Sequence, residues 1–301
     1  MCGIAGLFSK SSSFEQRLGD HLSDMLIQMA DRGPDSAGVA FYRNPAPAGS
    51  SKLTLFSPEE GYDWDAIASE LSGAFGGSNG PEIRASHAVI VVQTDADDAG
   101  RWVIDNHPEL RVMSAGQTIE IYKEMGDPRE FVERFGLREL SATHALGHTR
   151  MATESIVTTE HSHPFSTGLD LCLVHNGSLC NHNRLREELR REGITIQTDN
   201  DSEVAAAYLT WKMREGASLT EALESGLDDL DGFFTFAVGT ADGFAVLRDP
   251  IACKPAVMSE SDDWVAMASE YRAIAVLPGA EDARVWEPDP GQVYIWEKEK
   301  V

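Results

Sequence analysis

Apolar residues along this chain fall into short runs whose period switches between two and about three and a half. Cys2–Phe8 is a short apolar, glycine-containing run that reads as a buried strand. Leu18, Leu22, Met25, Leu26 and Met29 then recur at helical spacing, and the pattern stops before Arg32-Gly33-Pro34. Ala37–Tyr42 returns to strand. Glycine and proline mark loops at 44–51 (NPAPAGSS) and 76–81 (GGSNGP). Around them the pattern predicts a helix at Trp64–Leu71, a strand at His87–Gln93, a helix near 95–106, and strands around 110–114 and 118–123. This stretch has its own strand–helix–strand rhythm. It predicts an inserted subdomain at about 44–140 within one domain spanning 1–301.

From Ala145 the chain reads as strand and turn again, through GHTRMAT and LDLCLVHNG, and then as a helix from Asn181 to Arg191. Asn200 followed by Glu203 predicts a capping pair for the next helix, whose buried stripe is Val204, Ala207, Tyr208 and Trp211. After Gly232 come FFTFAV, GFAVLRD, PAVM and WVAMAS, spaced closely enough for antiparallel hairpins, and a last strand at Gln292–Trp296. Periodicity alone reaches a mixed α and β protein with many hairpin strands.

Charge narrows the choice of partner. The 301 residues carry a net charge of −24. That excess of acid argues against nucleic acid or an anionic membrane, because phosphate binding needs clustered Lys and Arg. MCGIAGLFSK carries no basic leader, and no apolar stretch is long enough to span a bilayer. The four cysteines (Cys2, Cys172, Cys180 and Cys253) lack metal-type pairing. The expectation is a cytoplasmic protein with free thiols, no metal and no iron–sulfur cluster.

Several residues could do chemistry. Removal of Met1, which a small second residue favours, would give Cys2 a free α-amine of pKa about 7.7–8.0, a general base carried by the nucleophile itself. His175-Asn176-Gly177 ends an apolar strand and offers a side-chain amide and an unobstructed backbone N–H for an oxyanion; the alternative is an ordinary Asn-Gly turn. Gly147-His148-Thr149-Arg150 places a guanidinium at a strand end, suited to a carboxylate or to a surface ion pair. Asp201 at a helix start is either a cap or a receiver for a substrate ammonium. His161 and His163 form an H-x-H pair that lacks an evident third ligand.

MCGIAGLF, DRGPDSAG, GHTRMAT, HPF, LVHNGSL and TDNDSEV, in this order, resemble the class II, N-terminal-nucleophile glutamine amidotransferase domain. RDPIACKPAV and ASEYRAI resemble the segment that closes the same domain. Together they cover roughly 1–43 and 140–301. The resemblance implies an α+β fold, a four-layer αββα sandwich of two antiparallel sheets. It implies Cys2 as nucleophile with its α-amine as base, and Asn176 and Gly177 as the oxyanion hole. Arg150 and Asp201 are implied to hold the carboxylate and ammonium of glutamine, with Thr153 nearby. Arg32 is implied to position the terminal cysteine, and His163 to order the loop ahead of the HNG strand. Met151 stands where many relatives carry an aromatic residue, and 44–140 exceeds a plain connection.

No SGG-x-D-S loop, G-x-x-x-x-G-K-[ST] or G-x-G-x-x-G is present, so a separate partner that uses the ammonia is expected. GHTRMATES, LVHNGSL-x-NHN, EVAAAYLTW, RDPIACKPAVM and RVWEP resemble the amidotransferase subunit of glutamate-synthase-like N-methylglutamate synthases. That resemblance implies glutamate-synthase-like partner subunits, with a flavin in the partner and no cofactor in this chain. Two alternatives remain: a stand-alone γ-glutamyl amidohydrolase, and a non-catalytic scaffold subunit.

Overall fold

The computed structural model describes residues 2–77, 80–151 and 157–298. The chain begins with β1 (Gly3–Ser9), α1 (Ser12–Glu15), α2 (Leu18–Gln28), β2 (Ser36–Tyr42) and β3 (Ser51–Phe56). There follow α3 (Trp64–Phe75), β4 (Glu82–Arg84), β5 (His87–Val92), α4 (Ala96–Asn106), β6 (Arg111–Gly116), β7 (Ile119–Met125) and α5 (Pro128–Arg134). Next are β8 (His144–Arg150), β9 (Phe165–Gly168), β10 (Leu171–Leu179), α6 (His182–Arg191), α7 (Asp201–Arg214) and α8 (Leu219–Asp229). The last part holds β11 (Gly232–Gly239), β12 (Gly243–Arg248), β13 (Val257–Glu260), β14 (Trp264–Ala268), α9 (Tyr271–Ile274), β15 (Arg284–Trp286) and β16 (Val293–Glu297).

β1 shows how the layers arise. All seven of its residues are buried, so both of its faces must be covered. Its side chains alternate between two cores: Ile4 and Phe8 enter one cluster with Leu146, Val174 and Phe244, while Ala5 and Leu7 pack with Leu18, Leu22 and Met25 of α2. β10 splits the same way. Cys172 and Val174 join the first cluster, and Leu171 and Leu173 join Val204, Tyr208 and Leu223 of α7 and α8. The first cluster is therefore the filling between two sheets, and each sheet carries helices on its other face. The seven-stranded sheet runs β15-β13-β14-β1-β8-β2-β7 and the five-stranded sheet β16-β12-β11-β10-β9. Every strand pairing within them is antiparallel. This is the α+β, four-layer αββα sandwich.

A four-stranded antiparallel sheet, β4-β5-β3-β6, stands apart, with α3 and α4 on it around Leu53, Leu55, Ile67, Leu71, Ile90 and Val103. It ends at Gly116, short of 140. Residues beyond it return to the body, because β7 pairs along β2 from Ser36↔Met125 to Tyr42↔Ile119. Asp170 locks that transition: its carboxylate accepts the N–H groups of Gln117, Thr118 and Ile119 and the Thr118 hydroxyl, at 2.7–3.0 Å. Glu120, buried, pairs with Lys52 and Arg43 at 2.8 Å each and accepts the Tyr122 hydroxyl at 2.9 Å.

One expected local pattern is corrected. Asn200 does cap α7, its side-chain oxygen accepting the Ser202 N–H at 2.8 Å. Glu203 does not complete the pair. Its carboxylate instead accepts the N–H groups of Gln197 and Thr198 and the Thr198 hydroxyl, which fastens the loop leading into the helix.

Candidate active site

The strand alternation that builds the inter-sheet core also builds a polar site at one end of it. Cys2 continues the row of Ile4, Gly6 and Phe8. His148 and Arg150 continue that of Leu146, and Asn176 that of Cys172 and Val174. Two residues along, the same inward rows change from apolar to polar. The registers Gly3↔Thr149 and Ile4↔His148 bring the start of β1 against the end of β8.

Small residues make this approach possible. A Cβ on Gly3 would lie 2.8 Å from Thr149 Oγ1 and 2.9 Å from Met29 Sδ. One on Gly33 would lie 2.5 Å from the Thr149 carbonyl carbon, and one on Gly38 would collide with the His163 carbonyl oxygen. The glycines of DRGPDSAG are thus the places where the chain lies directly on the GHTR strand and under the 158–164 loop.

Cys2 is half-buried, its Sγ 3.8 Å from the Met151 carbonyl oxygen. Two groups hold its own carbonyl. Arg32 donates Nε–H to it at 2.7 Å while pairing with Glu270 at 2.5 Å, and Asn176 Nδ2 donates to it at 3.3 Å. Asn176 Nδ2 also donates to Ser269 Oγ at 3.1 Å, and its Oδ1 meets His148 Nε2 at 3.1 Å. Ser269 Oγ in turn accepts the Ile4 N–H at 2.9 Å. Asn176 is thereby a polar clasp between the two sheets, set at Cys2. Gly177 has φ +155°, and a Cβ there would press on the Phe233 carbonyl and come 2.6 Å from His175 Nε2.

Arg150 is buried and donates to the His161 carbonyl at 3.3 Å. Asp201, the first residue of α7, does not cap its own helix. Its Oδ2 accepts the Leu179 N–H at 2.9 Å, and its Oδ1 the Ser202 hydroxyl at 3.2 Å, which ties the helix start to the end of β10. Ser202 Oγ also lies 2.8 Å from His163 Nε2 and 2.9 Å from His175 Nδ1. His163 packs against His148 with ring centroids 4.1 Å apart and the rings tilted by 37°. It therefore sits in the site network as well as in its loop. Thr153 lies outside the described residues.

Burial pushes the His148 ring down to about 3 and that of His175 to about 4, and lowers His163 well below its ordinary value. All three rings are neutral near pH 7. Lys123 on β7 is buried too, and burial lowers its ammonium to about 8. It donates to the carbonyls of Glu160, Ser162 and Pro164 at 2.9–3.3 Å, holding the loop that carries His161 and His163. His161 itself turns to Asp199 at 3.0 Å. Among the described residues, no three His, Cys, Asp or Glu side chains converge as a metal-binding group, and no helix is long and apolar enough to cross a membrane.

The structure adds His148, Ser202, Ser269 and Glu270 to the sequence-derived set. For His148 and Ser269 the signal was parity. A polar residue at an inward position of an otherwise apolar strand, such as His148 two residues after Leu146, needs a partner in the opposite sheet.

Residues 148–276 match the glutamine amidotransferase domain model. The chain is 54% identical over 302 residues, covering all of both proteins, to the glutamine amidotransferase-like protein GlxB of Rhizobium meliloti. It is 31% identical over 307 residues, 99% of this chain and 100% of the other, to a putative glutamine amidotransferase of Methanothermobacter thermautotrophicus. In fold it resembles the glutamine phosphoribosylpyrophosphate amidotransferase of B. subtilis, with a TM-score of 0.63 at 20% identity. That match covers 99% of this chain and 48% of that one.

Proposed function

The chain belongs to the glutamine amidotransferase family, and from that premise we propose that it hydrolyses the glutamine side-chain amide with Cys2 as nucleophile. Once Met1 is removed, the Cys2 α-amine takes the thiol proton as sulfur attacks the amide carbonyl. The tetrahedral oxyanion is stabilised by Asn176 Nδ2 and the Gly177 N–H. The C–N bond then breaks, ammonia leaves with the proton returned by the amine, and a γ-glutamyl thioester remains. Water cleaves it to glutamate and free Cys2. Arg150 receives the substrate carboxylate and Asp201 its ammonium, with Thr153 beside Arg150.

One observation carries this reading. Among the described residues, the Cys2 thiol has no imidazole or carboxylate partner, and its only hydrogen bond is to a backbone carbonyl. The hydrogen bonds of the nearby histidines run to Asn176 (His148) and Ser202 (His163 and His175), and none runs to the thiol. The α-amine is the base left, and Arg32 and Asn176 fix it by holding the carbonyl of the same residue.

The released ammonia goes, on this reading, to a glutamate-synthase-like partner of the N-methylglutamate synthase type. The flavin is carried by that partner. The GHTRMATES, LVHNGSL and RDPIACKPAVM strings support it.

Intact mass before and after 6-diazo-5-oxo-norleucine, with peptide mapping, tests the core of the proposal. A chain lacking Met1, labelled once at Cys2 and protected by glutamine, is expected, and Cys2→Ala takes no label. A processed chain that stays unlabelled with and without candidate partners would defeat the nucleophile assignment and put the scaffold alternative in its place.

A further inference from the structure

The Asn176 carboxamide fits its surroundings in two ways, related by a half-turn, that differ in which end faces Cys2. The Cys2 carbonyl oxygen can only accept, so the end 3.3 Å from it is the N–H2 group. Ser269 Oγ lies on the same side at 3.1 Å. The oxygen end then points at His148 Nε2, 3.1 Å away, and that contact is a hydrogen bond only if this ring nitrogen carries a proton.

We infer that His148, as its Nε2–H tautomer, is the positioning residue that keeps the donor end of the Asn176 amide turned toward the nucleophile. The inference rests on the reading of Asn176 as an oxyanion donor. It adds what decides the sign of that interaction. Turned over, the same side chain would present a carbonyl oxygen to the developing negative charge and repel it.

The imidazole is built to hold one orientation. His148 is 1% exposed on the inward face of β8, with the His163 ring packed on it at 4.1 Å. A neutral ring has a single N–H, for which Asn176 Oδ1, 3.1 Å from Nε2, competes with the backbone of His175. Because the oxyanion exists only in the transition state, losing this control lowers kcat and leaves glutamine binding in place.

His148→Phe keeps a ring against His163 but removes the donor, and His148→Gln restores an N–H. Glutaminase kinetics on the processed chain, with the partner subunits if turnover needs them, are expected to show kcat about 10- to 100-fold lower in His148→Phe. KM stays within about twofold, and His148→Gln recovers most of the loss. A role in packing alone would lower the melting temperature of His148→Phe and leave kcat per folded molecule unchanged, which would overturn the inference.

A second measurement does not depend on turnover. Long-range 1H–15N spectra of histidine-labelled wild-type protein at pH 7 should show His148 neutral with its proton on Nε2; a proton on Nδ1 overturns the inference whatever the kinetics. The two readings fail separately. Unchanged kcat in Asn176→Ala sinks the oxyanion role itself. A crippled Asn176→Ala beside a wild-type rate in His148→Phe sinks only the positioning role.

Discussion

Two buried polar clusters in this molecule are built to opposite standards. At the joint between the four-stranded sheet and the body, the Asp170 carboxylate accepts four hydrogen bonds, and Glu120 is met by two cations and a phenol. At the site, His163 Nδ1 and His175 Nε2 have no hydrogen-bond partner among the described residues although both rings are buried. Arg43 Nε at the joint is likewise without a partner among the described residues; an unsatisfied buried polar group costs roughly 1–3 kcal/mol, so the joint bears that cost at one atom and the site at two. The carboxylates of the joint are saturated, whereas two rings of the site each keep one nitrogen open.

The largest expected effect tests the first half of that contrast. Glu120→Ala removes the carboxylate between Lys52 and Arg43 and leaves their charges without it. About 3–5 kcal/mol of stability should go, read by urea denaturation. Activity per folded molecule should stay within about twofold, since none of these groups touches Cys2, Asn176 or Asp201. Loss of turnover without loss of stability would show that the joint belongs to the catalytic machinery and would erase the comparison.

Much of the site was legible because its residues sit in dense motifs. Cys2, Arg150, Asn176, Gly177 and Asp201 stand in strings that resemble one family, and strand periodicity places Arg150 at a strand end; Asn176, expected to end its strand, lies inside β10, which stays paired with β11 to Leu179. The assembly was not legible in that way. Cys2 and Asn176 meet across 174 positions of sequence, and β1 lies between β8 and β14, a neighbourhood no local pattern encodes. Asp201 shows the same gap at smaller scale. At a helix start a carboxylate reads as a cap, yet its partner is the Leu179 N–H of a strand 22 residues earlier. Glu203 looked like the second half of a capping box because spacing alone cannot tell which of several nearby N–H groups a carboxylate will take. The limit of the separate sheet was blurred for a related reason: β6 and β7 are consecutive strands joined by Gln117 and Thr118 alone, and only pairing assigns β7 to the body.

An intermediate effect sharpens the contrast on the side of the site. Ser202 Oγ is the single atom joining His163, His175 and Asp201. Ser202→Ala should loosen Asp201, which keeps only its bond from the Leu179 N–H. On the proposed reading Asp201 meets the substrate ammonium in the ground state. KM for glutamine should therefore rise about tenfold, equivalent to roughly 1.4 kcal/mol, with kcat changed less than threefold. A fall in kcat at constant KM would move this network from substrate binding to the chemical step.

The smallest effect comes from two histidines on one face of β8. His148 lies at the polar end of the inter-sheet layer, and His144 at the apolar end, stacked on Tyr42 at 4.1 Å with Nε2 2.8 Å from the Thr240 carbonyl. Burial pushes each ring down to about 3. Unfolded histidine titrates near 6.5, so below that pH the unfolded chain binds protons that the folded chain refuses. Stability attributable to each ring is complete above about 6.5 and is lost as the pH falls from there toward 3, at up to about 1.4 kcal/mol per pH unit. His144→Phe removes one such ring without touching the proposed machinery. At pH 7 the variant should be about 1 kcal/mol less stable, for the lost hydrogen bond. Its stability should then fall less steeply with acid, so that denaturation curves for variant and wild type converge by about one pH unit below 6.5. Parallel pH profiles would mean that His144 takes up its proton in the folded state as readily as in the unfolded one, and the apolar end of the layer would then be wetter than its packing against Tyr42 and Phe8 indicates.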